Sequence, residues 1–463
     1  MASTRGAAGT ALVDRSRLPE PRPTVRFRFP AIEKSTLENG LRIWTARHAS
    51  IPVVAIGLVV NRGAAADPSG LEGLAAMTID MLDEGSEGRS AIEMHQALSR
   101  IGAQLDSEIG PDGAGLAVTA LGRFADRVVD LLGAIAGRPS LTEEDFERVR
   151  ELRLNRLRQL RDVPGAVADR TFARLLYGLH PYGHTPLGAE AALRAMTIDD
   201  VRSFHAGHIR PATTTLVAVG DCHHDEVRRY AEAAFSGWSG AGEPRTPSGG
   251  TVPVTSRLSV VPRSGAPQSE LRIGHVAVSR NTPDYHALIA ANMVLGGQFV
   301  SRINLNLREE KGFTYGARTS FDFRREPGPF ALQVSVQTAA TAEAIRESLR
   351  EISDIRGARP ITPGELSLGV AALTRGFPRS FETAEQVARA ISQLVLYDLP
   401  DSYYEDFVPA IERLTAEHVT AAAARHLDPE RMTTLVVGDL DVIQHDIARL
   451  DLGTPVTLSA ESF

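Results

Sequence analysis

The chain has 463 residues, 43% of them hydrophobic and 23% charged, with 57 acidic against 50 basic side chains and a formal net charge of −7. At ~100–200 residues per domain this length implies two to four domains, and the apolar fraction excludes wholesale disorder. The acidic balance argues against a nucleic-acid binder with a basic face, and no run approaches the ~20 apolar residues of a membrane span. The single cysteine, Cys222, leaves no internal disulfide and excludes a thiolate zinc knuckle.

Residues 1–32 read as a flexible N-terminal tail. The tail carries Arg5, Arg15, Arg17, Arg22, Arg26 and Arg28, but no apolar segment follows them. A secretory signal is therefore not expected, and a cytoplasmic location is. Gly40 to Thr45 and Val53 to Asn61 alternate or run apolar, as strands do. Leu71 to Leu82 and Ala91 to Ile101 have helical period. Gly115 to Leu121 reads as a strand, followed by helices over Phe124 to Ala136 and Glu143 to Arg161. Ser239 to Ser256, rich in Gly, Pro, Ser and Thr, reads as a linker. Beyond it come strand Leu271 to Val278, helix Tyr285 to Leu295, strand Phe330 to Gln337 and helix Thr341 to Ile355.

The two halves look related. Met196 to Asp221 aligns without a gap on Leu414 to Asp439, with 9 of 26 positions identical. Each copy has a Thr N-cap, a helix with an acidic first turn, a Pro, and a strand ending in Gly-Asp. Internal duplication explains this order better than chance. The expected fold class is α+β, because strands and helices mix without strict βαβ alternation. Each half would be a mostly antiparallel sheet covered by helices, and together they would form a clam-like half-shell. The expected boundaries are 33–238 and 258–463, joined by a linker over 239–257.

Six segments carry a family resemblance: LENGLRIW (Leu37 to Trp44), NRGAAADPSGLEGLAAMTIDMLDEGSEGRS (Asn61 to Ser90), HPYGHTPLG (His180 to Gly188), the two VGD strand ends, and SRINLNLREEKGFTYG (Ser301 to Gly316). With these, the chain from about Glu33 onward resembles the M16 metallopeptidases, the pitrilysin and insulysin superfamily. It is most similar to the shorter type that includes mitochondrial processing peptidase and bacterial two-subunit peptidases. By that resemblance, active members carry H-x-x-E-H on the helix after the Gly-Leu pair. Two His four apart share a helical face and bind one zinc ion, and the Glu takes a proton from the metal-bound water.

Here the first ligand position holds Ala76, the general-base position Ile79 and the second ligand position Asp80. A methyl group and a branched alkyl chain neither bind metal nor move protons. The resemblance places the third ligand near Asn155 or Arg156, neither a natural zinc ligand; Glu147 and Glu151 nearby read equally well as helix-face charges. Substitute sites are weak. His180 and His184 are separated by Pro181 and Gly183, His205 and His208 lack a third ligand, and Cys222, His223 and His224 read as a surface turn.

Arg308 and Tyr315, seven apart, match the family's Arg–Tyr pair by context. The resemblance implies that the pair holds substrate or the tetrahedral intermediate from the domain opposite the zinc. Guanidinium and phenol are donors suited to peptide carbonyls and developing oxyanions. The bland alternative pairs Arg308 with a neighbouring carboxylate and half-buries Tyr315 in a strand. The resemblance as a whole implies a zinc-less subunit of a heterodimeric M16 peptidase, with no cofactor of its own. Its expected partners are a zinc-bearing M16 paralogue and a peptide added as a strand to a sheet edge, with no nucleic acid or membrane. The alternatives are a structural or interaction protein of the same fold, or an active peptidase with rearranged metal ligands.

Overall fold

The structure, a computed structural model, describes residues 27–240 and 256–459 together with Ser16. In chain order the first half comprises β1 (Ile32–Thr36), β2 (Arg42–Arg47), β3 (Val53–Val60), α1 (Leu74–Met81), a small hairpin of β4 (Gly85–Ser86) and β5 (Arg89–Ser90), α2 (Ala91–Arg100), β6 (Leu105–Ile109) and β7 (Ala114–Leu121). It continues with α3 (Ala125–Gly137), α4 (Glu143–Arg161), α5 (Pro164–Tyr177), α6 (Glu190–Ala195), α7 (Ile198–His208), β8 (Thr214–Gly220) and α8 (His224–Phe235). The second half comprises β9 (Leu258–Pro262), β10 (Gln268–Val276), α9 (Tyr285–Leu295), α10 (Arg302–Asn304), β11 (Ala317–Phe321), β12 (Pro329–Gln337), α11 (Thr341–Asp354) and α12 (Pro363–Thr374). It ends with α13 (Ala384–Tyr397), α14 (Tyr403–Glu412), α15 (Ala416–His426), β13 (Thr433–Gly438), α16 (Leu440–Ile447) and β14 (Val456–Thr457).

The sheets match over five strands and differ at one edge, where β1 pairs antiparallel with β2 but β14 pairs parallel with β9. The first runs β1-β2-β8-β3-β7-β6, and the second, read from its far edge, β14-β9-β13-β10-β12-β11. In each, the second and third strands pair parallel and the next three pairings are antiparallel. The two sequence copies fall on α7–β8 and α15–β13. Thr197 and Thr415 accept from the backbone N–H of Asp200 and His418, capping the two helices alike. The α+β expectation and the internal repeat are therefore both visible in the topology.

Both central strands are continuously apolar because both sheet faces are covered. On the first sheet, Val54, Ile56, Leu58, Leu216 and Ala218 pack with α3 and α8 in one core. The alternate residues Ala55, Val59, Val217 and Val219 pack instead against Val387, Ile391 and Val395 of α13, a helix of the second half. The second sheet is treated reciprocally. Its own helices cover Leu271, Ile273, Leu332 and Val436, while Val261, Ala331, Leu435 and Val437 receive Val167, Ala168, Phe172 and Leu176 of α5. The halves thus exchange one helix each, a relation that strand and helix periodicity could not show.

A polar seam adds to the exchange. The Tyr182 hydroxyl donates to Asp112, whose other oxygen accepts from the Arg325 N–H at 2.9 Å. The linker reading falls mostly on residues 241–255, and most of the N-terminal tail reading on residues before Phe27, both outside the described residues. Phe27 and Phe29, at the end of the expected tail, pack against Phe381, with ring centroids 4.8 and 5.5 Å away.

Candidate functional site

α1 carries Ala76, Ile79 and Asp80, the positions that the resemblance sets against the family's metal motif, and its anchorage is unusual. Gly73 precedes the helix with φ of +103°, a conformation open to glycine and without a capping side chain. Asp67 supplies the cap from six residues upstream. Its carboxylate accepts from the N–H groups of Gly73 and Ala75, each at 2.7 Å, and its side chain is fully buried. His184 Nε2 lies 2.9 Å from the same carboxylate. Gly188 also has positive φ, and a Cβ there would fall 2.1 Å from the Glu72 carbonyl oxygen. The HPYGHTPLG segment is thus a loop clamped against the start of α1. His184 and Gly188 serve that clamp, and Asp67 was missed in the sequence.

Ala76 and Ile79 are buried, and Ile79 joins the apolar core of the first sheet. Asp80 faces α4, where Arg153 meets it: Nη1 donates to Asp80 Oδ2 at 2.5 Å and Nη2 to the Pro186 carbonyl at 2.8 Å. The Arg153 side chain is 9% exposed and that of Asp80 41%. The sequence alignment pointed to Asn155 or Arg156, but both are exposed, and Asn155 accepts from Arg158 along the same helix. The missed signal was the apolar stripe Phe146, Val149, Leu154 and Leu157, which sets the buried face of α4 and includes Arg153.

These residues do not fit a zinc ion. One carboxylate remains, already paired, and a guanidinium stands beside it where like charge would repel a metal. Among the described residues, no group of three His, Cys, Asp or Glu side chains is placed to hold a metal. Three of the other histidines considered have local partners. His205 Nε2 lies 2.8 Å from the Ala136 carbonyl oxygen, His208 stacks on Phe204, and His224 Nδ1 lies 2.8 Å from Thr45 Oγ1. Burial lowers the pKa of His205 and His208 and pushes the Cys222 thiol up to about 11. Glu147 pairs with Arg150 on its own helix.

The second-half motif divides into anchors and exposed groups. Arg302 is clamped by Glu365 and the carbonyls of Arg359 and Pro360. Asn304 exchanges two hydrogen bonds with the Ala317 backbone at the start of β11, each 2.9 Å. Asn306 donates to the buried carboxylates of Glu347 and Glu351 on α11. Leu305–Glu310, which includes the Asn306 anchor, forms a π-helical turn, a widening frequent at functional sites.

Arg308 sits on this turn, over the Phe299 ring at 3.2 Å from its centroid, with Nη2 2.7 Å from Glu309 Oε1. Tyr315 is 95% exposed, so the half-buried alternative does not describe it. Phe299, Val300 and Leu305 are exposed nearby in sequence, giving this segment an aromatic and apolar surface. No hydrogen bond or ion pair among the described residues joins Arg308 or Tyr315 to Ala76, Ile79 or Asp80; the two sets lie in different halves of the chain. The two sheet edges nearest these sets in the topology are β6, which touches α1, and β11, which begins just after Tyr315.

Comparison with known proteins places these features in context. The family profile described as "Insulinase (Peptidase family M16)" matches residues 42–187, and "Peptidase M16 inactive domain" matches residues 195–373. An uncharacterized zinc protease of Mycobacterium bovis is 26% identical over 415 residues, covering 88% of this chain and 93% of that protein. The beta subunit of the mitochondrial-processing peptidase of Rattus norvegicus is 24% identical over 286 residues, 61% of this chain and 58% of that one. The crystal structure of a peptidase M16 inactive domain from Pseudomonas fluorescens has a TM-score of 0.81 at 22% identity, covering 88% of this chain and 98% of that one.

Proposed function

This chain belongs to the M16 peptidase family, and from that premise we propose that it is a zinc-less subunit which completes the active site of a zinc-bearing M16 partner. The observation that carries the proposal is the Arg153–Asp80 ion pair, with Ala76 and Ile79 buried beside it. A tethered cation stands where a metal-binding helix pair would need ligands. The chain's own contribution would come from Arg308 and Tyr315. Their segment is pinned at Arg302, Asn304 and Asn306, while the phenol of Tyr315 stays free to meet a partner or a peptide.

In that role Arg308 and Tyr315 would donate to peptide carbonyl oxygens and to the oxyanion that develops as water attacks. An extended peptide could add to a sheet edge, β6 or β11, through main-chain hydrogen bonds. The zinc and the water-activating Glu would belong to the partner. Residues 33–238 and 258–463 would act as two domains, locked by the exchanged helices α5 and α13.

Metal analysis and co-expression test the proposal together. The isolated chain should hold no stoichiometric zinc and cleave no peptide. Co-purified with an M16 subunit that carries H-x-x-E-H, it should yield chelator-sensitive peptidase activity. One zinc per isolated chain, or activity of the partner that is indifferent to this subunit, would overturn it.

A further inference from the structure

Beside the loop clamped against the start of α1, one cavity of about 240 Å³ opens between α5, the end of α4 and the loop ahead of α6. Arg161, Arg170 and Arg174 line it, with Glu72 and Glu190 as the acidic members. Glu190 is already shared between Arg161 at 2.5 Å and Arg194 at 2.7 Å. The Glu72 carboxylate accepts from the Gly70 N–H. His184, at the cavity wall, faces Asp67.

Arg170 and Arg174 differ from Arg161, the third arginine of the cavity. One turn apart on α5, they share a helical face. Among the described residues neither meets a carboxylate. Arg170 donates to the Gly188 carbonyl at 3.2 Å and Arg174 to the Gly178 carbonyl at 2.7 Å. Each guanidinium has five N–H donors, so most remain without a protein acceptor. Burial, and then the nearby Arg161 charge, disfavour the charged form of Arg170. An anion in the cavity would relieve both effects. The two loop carbonyls meanwhile fix each guanidinium in place, which lowers the ordering cost of binding.

We infer that this cavity is an oxyanion-binding site, in which Arg170 and Arg174 take the phosphate or carboxylate group of a small ligand. Planar guanidinium groups match either anion by paired, charge-assisted hydrogen bonds. The site lies apart from Arg308 and Tyr315 and does not depend on the role given to them.

Titration of the full chain with inorganic phosphate and, separately, glutarate tests the inference, using sodium chloride at equal ionic strength as the reference. At least one anion should bind saturably and raise the melting temperature beyond the chloride control; which one does so identifies the source. R170Q/R174Q should weaken that binding about tenfold or more. Phenylglyoxal labelling of the unaltered protein supplies a second measurement. The effective anion should slow modification at Arg170 and Arg174. Absence of saturable binding by both anions, undiminished binding by R170Q/R174Q, or unchanged labelling at both arginines would each overturn the inference.

Discussion

Arg153 on α4 donates to Asp80 on α1 across the interface of the two helices, and the two partners are unequally buried, 9% against 41% side-chain exposure. The asymmetry decides which loss matters. Without Arg153, Asp80 can turn to water; without Asp80, a buried guanidinium keeps only the Pro186 carbonyl. D80A should therefore destabilise by about 1–2 kcal/mol, discounted for the exposure of Asp80, and R153M by less than about 1 kcal/mol. Urea unfolding of both variants measures this, and a larger loss in R153M would contradict the account.

The same pair bears on metal binding. A76H/I79E/D80H restores the motif residues on α1 but leaves the Arg153 cation facing them. That variant should not retain zinc at one ion per chain in dialysis followed by elemental analysis. Adding R153E removes the repulsion and supplies a third ligand, so zinc content should then approach one. Equal zinc in both variants would show that Arg153 does not govern the site.

Arg308 and Tyr315 should matter to cleavage, and Tyr315 little to folding. Tyr315 is 95% exposed, so Y315F should leave the melting temperature unchanged. In a complex with a zinc-bearing M16 partner, R308A or Y315F should lower kcat/KM by about 100–1,000-fold, the scale of a lost transition-state donor. Full activity in both variants would remove the pair from the mechanism.

Helix exchange makes one half a structural dependant of the other. Ile391 of α13 is fully buried, and it packs in one core with Val217 and Val219 of β8. I391A should cost about 2–5 kcal/mol. It should also speed hydrogen exchange at Val217 and Val219, although they lie far away in sequence. Protection unchanged in β8 while β13 loosens would argue against the exchange.

Glu365 sets an acid limit. Burial alone would raise its pKa, but hydrogen bonds from Arg302 and from the Thr362 backbone and side chain outweigh this and lower it from 4.5 to about 2. A depressed folded pKa means that ionised Glu365 stabilises the fold above its unfolded value, and that this contribution fades as pH falls towards the folded value. The stability gap between the parent chain and E365Q should be constant near neutrality and shrink between about pH 4.5 and about pH 2. Denaturant midpoints across that range report it, and a gap that widens on acidification would reverse the assignment.

Much of the framework was legible in the chain. The charged helix Glu143–Arg161 and the apolar helix Tyr285–Leu295 were read with their observed bounds, and the strand Val53 to Asn61 to within one residue. Glu143–Arg161 has the Thr142 cap and an acidic first turn, while the other two are continuous apolar runs whose lengths suit a helix and a strand. α5 and α13 carry ordinary helix signals, Pro164 in the first turn and a Thr383–Gln386 capping box, so what the pattern leaves out is only that their apolar faces pack on the opposite half's sheet. Arg153 was missed for a different reason. Counting from a motif fixes a position along a helix only to a few residues, whereas a shift of two or three residues rotates a side chain from the buried face to solvent.

The order of side chains along the chain carried the fold class, the repeated halves, and the presence at Ala76 and Ile79 of alkyl side chains that neither bind metal nor move protons, since local propensity and residue chemistry need no neighbour to be read. Only the folded arrangement decided that Arg153 meets Asp80, that each half covers the other's sheet, and that Arg170 and Arg174 converge on one cavity. Those relations depend on packing between segments distant in sequence, which spacing along the chain does not encode.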